Sequence, residues 1–112
     1  MLIVDQGATV NLTLTNNLSA PTALNIVGVD MPPDLVGVAP GASRTYSFTA
    51  GQPGTYLYEA GLIPGGARQV ALGLYGALIV RPAGAPTQLY DASSAFDDEA
   101  VLVFSEVDPR LN

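Results

Sequence analysis

Gln52-Pro53-Gly54-Thr55-Tyr56-Leu57-Tyr58-Glu59-Ala60-Gly61 and, further on, Gly73-Leu74-Tyr75-Gly76-Ala77-Leu78-Ile79-Val80 are the stretches on which the fold turns. The fixed φ of Pro53 and the freedom of Gly54 suit a tight corner, from which Thr55–Tyr58 leaves as a strand. Tyr56 is placed to tie that corner down through its hydroxyl, as tyrosines do in Greek-key sandwiches. Val70–Val80 is the longest apolar stretch and reads as one strand, with Leu72, Leu74, Leu78 and Val80 sharing a face. Gly76 interrupts that face, which calls for a close backbone approach or a bulge.

Outward from these stretches the period of two recurs. Val10, Leu12 and Leu14 alternate with Thr9, Asn11, Thr13 and Thr15, giving a strand with one dry and one wet face. Asn16–Pro21 is a turn, and Leu24–Val29, apolar except for Asn25, is a second strand buried on most sides. Pro32, Pro33, Pro40 and Gly41 break the next stretch into loop, and Arg44–Thr49 resumes the alternation with Tyr46 and Phe48 on one face. Gly61–Arg68 reads as a flexible glycine-rich loop, Pro82–Pro86 as a linker, Ala92–Glu99 as a short helical turn and Val101–Phe104 as a final strand. No helix candidate exceeds two turns, and turn signals recur at short intervals. The expected fold is an all-β Greek-key β-sandwich.

A chain of 112 residues supports one hydrophobic core. With 48% hydrophobic and only 12% charged residues, its wet faces must rely on Thr, Ser, Asn and Gln. Ten acidic residues against four arginines and no lysine give a net charge of −6, which argues against nucleic acid or an anionic membrane as partner. Six of the ten acids lie between Asp91 and Asp108, so the acidity belongs largely to the C-terminal segment. The absence of cysteine excludes disulfides, thiolate ligands and cysteine nucleophiles. No apolar run approaches the ~20 residues of a membrane-spanning helix, and no basic and apolar signal-peptide pattern opens the chain.

The frame Leu24-Asn25-Ile26-Val27-Gly28, the corner at 52–61 and the strand ending in Gly76-Ala77-Leu78-Ile79-Val80-Arg81-Pro82 together resemble the first cupredoxin-like domain of a multicopper oxidase. In that family the first two stretches usually read HWHG and PGTYWYHSH. The resemblance therefore puts copper ligands at positions now held by Asn25, Val27, Glu59 and Gly61. It implies a cupredoxin-like domain at 1–82 lacking its first strand, an interdomain linker at 83–96, and the start of a second such domain at 97–112. Both ends are then expected to be cut from a longer protein. An extracellular or periplasmic location follows from the same resemblance.

Histidines two apart on a strand share a face, which is why two such pairs can converge on a metal cluster. Val27 and Gly61 have no donor atom, while Asn25 and Glu59 offer only oxygen, a weak copper donor beside imidazole or thiolate. The expected role of Asn25 and Glu59 is a polar contact with each other or with Arg68, in preference to a residual metal site. No catalytic residue, cofactor or metal site is expected in this chain, although copper remains possible elsewhere in a parent protein. Met31 is expected to pack, and Asp91, Asp97, Asp98 and Glu99 lack the spacing and turn glycine of a calcium loop. Serine or threonine nucleophiles have no histidine base, and Glu59 has no acidic neighbour for a paired-carboxylate hydrolase. Pro64-Gly65-Gly66 lacks the lysine of a phosphate loop. Asn11-Leu12-Thr13 and Asn17-Leu18-Ser19 match glycosylation sequons but are explained as strand and turn residues.

Three functions are open at this point. The first is a noncatalytic scaffold domain packed on sibling cupredoxin domains. The second is a domain of a copper-dependent oxidoreductase whose ligands lie in other domains, and the third an extracellular binding module. The Val101–Phe104 strand, cut from its own domain, is also expected to drive self-association.

Overall fold

β6 (Tyr75–Arg81) occupies the middle of the larger sheet, and its run Gly76–Val80 is buried throughout. A strand covered on both faces reads as continuous apolar sequence instead of alternating, and this one does. The computed structural model describes residues 1–111. Ahead of β6 come β1 (Leu2–Asp5), β2 (Thr9–Thr15), β3 (Leu24–Ile26), β4 (Ser43–Thr49), β5 (Gly54–Ala60) and a helix, α1 (Gly66–Ala71). One sheet runs β1-β6-β5-β3, with β1 parallel to β6 and the other pairs antiparallel. The second sheet pairs β2 with β4. The all-β sandwich read from the sequence is the fold that forms, with β1 as an added strand.

The two sheets meet on Val10, Ile26, Phe48, Ala50, Leu78 and Val80, with Met31 packed against them as expected. The outward face of β2 and β4 is solvated without ion pairs. There Thr13 faces Thr45 at 2.9 Å, Thr15 faces Ser43 at 3.0 Å, and the Ser47 hydroxyl donates to Asn11 Oδ1 at 2.6 Å. Such cross-strand pairs each contribute about 0.2–1 kcal/mol. The corner is tied as predicted, since the Tyr56 hydroxyl donates to the Gln52 carbonyl at 2.8 Å.

Four expectations are corrected. The second strand stops at Ile26, because Gly28 takes φ 91 and turns the chain away after Val27 has made one more bond, to the Leu57 carbonyl. Gly61–Arg68 is not simply a loop, since its last residues open α1. Val70–Val80 is not one strand. Ala67, Arg68, Gln69 and Ala71 favour helix, Gly73 at φ 109 resets the direction, and strand begins only at Tyr75. Leu72 and Leu74 therefore sit outside the strand, 44% and 39% exposed, and do not belong to the buried core with Leu78 and Val80. Gly76 makes no bulge and stands in regular register opposite Tyr58, whose ring fills the space above it.

Val101–Phe104 is the fourth, since it joins no strand. A strand needs an edge to pair with, and the preceding segment is committed elsewhere. Arg81 holds Glu99 through two hydrogen bonds, donates to the Pro86 carbonyl at 2.9 Å and lies 5.8 Å from the Phe96 ring. Gln88 and Ala95 form a β-bridge, and Asp91 and Ser94 cap a single 3-10 turn at Ala92–Ser94 in place of the longer Ala92–Glu99 turn. Val103 and Phe104 are left beside Leu57, Tyr75 and α1, on the outer side of the larger sheet.

The loop between β3 and β4 is fastened by Asp34, whose side chain is 7% exposed. Its carboxylate accepts from the Val36 and Gly37 amides at 3.0 and 2.8 Å and from the Tyr46 hydroxyl at 2.6 Å, and it pairs with Arg44. Burial alone would raise its pKa. The hydrogen bonds from Gly37, Tyr46, Val36 and Arg44 outweigh burial and hold the carboxyl well below the usual range. The group thus stabilises the fold fully above the unfolded pKa of about 4 and loses that contribution as pH falls toward the folded value. Asp34→Ala is expected to cost about 2–3 kcal/mol at neutral pH, with a smaller difference from the parent in acid. Urea unfolding at neutral and acidic pH measures this, and an equal difference at both would remove the charge from the account.

Candidate functional site

β3 and β5 run antiparallel with Asn25 opposite Glu59. Leu24, Ile26, Tyr56 and Tyr58 pack toward the core. By alternation Asn25, Val27 and Glu59 stand on the outer face of the sheet. The structure thus brings these three side by side, as the i, i+2 spacing implies. Asn25 and Glu59 are cross-strand neighbours, yet among the described residues neither side chain bonds the other or Arg68. The expected contact does not form because both side chains leave the sheet in parallel and stay partly exposed, where solvent satisfies them. Val27 is 56% exposed.

Gly61 is different. Its amide donates to the Ala23 carbonyl at 2.9 Å, and a Cβ built on it would lie 2.5 Å from the Ala23 Cβ. On Gly66, the first residue of α1, a Cβ would lie 2.0 Å from the Gly61 carbonyl oxygen. Ala23, Gly61 and Gly66 are all buried. Their small size lets the start of α1 rest directly on the sheet at the place where the resemblance puts a fourth ligand. Gln69 then ties α1 down, since its Oε1 accepts from Thr22 Oγ1 at 2.8 Å and its Nε2 donates to the Pro21 carbonyl at 2.8 Å. Sequence reasoning missed α1 and Gln69. The available signal was the helix-forming run Ala67–Ala71 closed by a glycine at position 73.

The residues at positions 25, 27, 59 and 61 do not fit copper. They supply two oxygen donors and no imidazole or thiolate, and position 61 has no room for a side chain. Among the described residues no cluster of three or more His, Cys, Asp or Glu could hold a metal ion. No helix among them is long and apolar enough to cross a membrane.

Strand order, corner and site frame define a cupredoxin-like sandwich. The family model described as multicopper oxidase matches residues 1–85, and the chain belongs to that family. It is similar to a probable nitrite reductase-hydroxylamine oxidoreductase fusion protein of Kuenenia stuttgartiensis, 37% identical over 93 residues, covering 72% of this chain and 11% of that protein. It is also similar to the copper-containing nitrite reductase of Neisseria gonorrhoeae, 34% identical over 87 residues, covering 73% of this chain and 22% of that protein. The solved copper nitrite reductase of Nitrosomonas europaea superposes with TM-score 0.68 at 30% identity, over 77% of this chain and 31% of that one. The chain thus spans between 11% and 31% of the length of these relatives.

Proposed function

We propose that the chain is a noncatalytic cupredoxin-like domain of a larger multicopper-oxidase-type protein, relieved of its copper ligands and serving as scaffold for sibling domains. The observation that carries this reading is Gly61, where α1 and Ala23 close the space a ligand side chain would need. The outer face bearing Val27 and Leu57, 56% and 41% exposed, and the unpaired apolar segment 101–104 are the surfaces offered to siblings or to a second copy. The location is extracellular or periplasmic, in keeping with the family resemblance. Titrating Cu(II) into the purified chain tests the reading. No saturable rise in melting temperature beyond weak, salt-sensitive binding to the acidic C-terminal segment is expected. Stoichiometric binding lost on Glu59→Gln would overturn it.

A second reading is favoured by the relatives, several of which carry copper in their names. The parent is then a copper-dependent oxidoreductase whose ligands reside in other domains. Histidine pairs and a cysteine-centred motif in the remainder of the reading frame separate this from a parent that has left copper chemistry altogether.

A further inference from the structure

Where β2 runs out into the turn that follows it, the two sheets part and leave a cleft of about 340 Å3. Leu14, Leu18, Leu24, Tyr58, Ala60 and Leu74 are its main walls. Its chemistry is set by what the polar wall residues are already doing. Asn16, 1% exposed, donates to the Ala20 and Val38 carbonyls at 2.9 and 2.8 Å and accepts from the Leu18 amide at 2.9 Å. Thr22 is spent on Gln69. Glu59 borders the cleft, but it lies between Tyr58 and Ala60 on β5 and turns its carboxylate to the opposite face of the sheet. Among the described residues no orphaned buried polar atom faces the space, so a charged ligand would lose its hydration there with no buried group to replace it.

The cleft is also built into the fold. Ala60 and Gly73 leave volume that a larger residue would fill, the Asn16 and Gln69 bonds pin two of the walls, and Tyr58 is fixed flat across Gly76. A dry apolar cavity of about 150 Å3 accepts benzene, and ligand pockets begin near about 300 Å3. We propose that this end of the sandwich binds an uncharged apolar compound of one or two fused rings. The proposal goes beyond the scaffold role and does not depend on it.

Indole is the probe, titrated to about 10 mM into the chain with leucine methyl groups observed by NMR. Saturable shifts are expected at Leu14, Leu24 and Leu74, and none with benzoate or benzylammonium. Leu18→Trp, at the 42% exposed rim, is expected to weaken indole binding by about tenfold or more. Ala60→Val, filling the floor, replaces Leu18→Trp if that variant does not fold. The proposal is overturned by the absence of saturation, by equal shifts with the charged rings, by shifts confined to Leu102 in the C-terminal segment, or by unchanged affinity in the blocking variant.

Discussion

Gly76→Val is expected to lower the melting temperature by about 10–15 °C, corresponding to about 2–3 kcal/mol for a domain of this size. A Cβ at position 76 would lie 2.2 Å from Cζ and Oη of Tyr58 and 2.8 Å from its Cε1. The ring must therefore leave. It is the far end of a side chain and could swing aside at the surface, but Tyr58 packs against the core cluster between the sheets. Moving it opens a void beside Leu78, which is 0% exposed. Two gains oppose this loss. Valine is the better strand former, by up to about 1 kcal/mol, and removing glycine from a strand recovers about 0.5–1 kcal/mol of chain entropy. The overpacking and the lost ring contacts are larger, so destabilisation wins.

A double-mutant cycle separates this account from a general intolerance of β6. Tyr58→Leu alone removes ring contacts and destabilises, but in the Gly76→Val background it also removes the clash. The pair should then be more stable than the sum of the single changes by at least about 1 kcal/mol. Strict additivity in urea unfolding would mean that the ring over Gly76 is not what fixes the glycine. This cross-strand pairing of ring and glycine is a known way of covering a strand glycine.

The parts of the fold that were legible in the sequence are those where local pattern and tertiary environment agree. β2 and β4 are half-buried antiparallel strands, so Val10, Leu12, Tyr46 and Phe48 announce themselves by alternation. The Tyr56 corner was legible for a similar reason, because Pro53 and Gly54 set its geometry locally. Val70–Val80 was misread because a short apolar run has no period that tells buried strand from packed helix. The left-handed turn at Gly73 decides between them, and position 73 offers only a glycine to the eye. Val101–Phe104 has strand composition but lies beside Leu57, Tyr75 and α1 without pairing, and pairing is not a local property. At the candidate site, the common face of Asn25, Val27 and Glu59 follows from a period of two. The closure of Gly61 does not, because it depends on Ala23, remote in sequence, and on the chain folding back at Gly66 to begin α1.

Placing histidine at the four frame positions is accordingly expected to split into three tolerated changes and one that is not. Asn25→His, Val27→His and Glu59→His replace partly or largely exposed outer-face residues, and each should alter stability by no more than about 0.5 kcal/mol. Gly61→His should cost at least about 3 kcal/mol, or about 12–20 °C in melting temperature. The φ of Gly61 is not positive, so backbone strain is not the cause. What resists is matter on both sides. The Cβ meets the Ala23 Cβ at 2.5 Å, and the rest of the imidazole must displace the start of α1, whose Gly66 already rests on the Gly61 carbonyl. Displacing α1 also breaks the Gln69 bonds to Thr22 and Pro21. Ala23→Gly should recover part of the cost of Gly61→Ala by opening the first contact, and little of the cost of Gly61→His, because the helix remains. Thermal melts of these variants decide the matter. A Gly61→His protein as stable as the parent would show that the helix yields easily and that the chain lacks only ligands. The expected loss would mean that the backbone at position 61 is closed to a side chain, so that no set of histidine substitutions alone builds a four-ligand site.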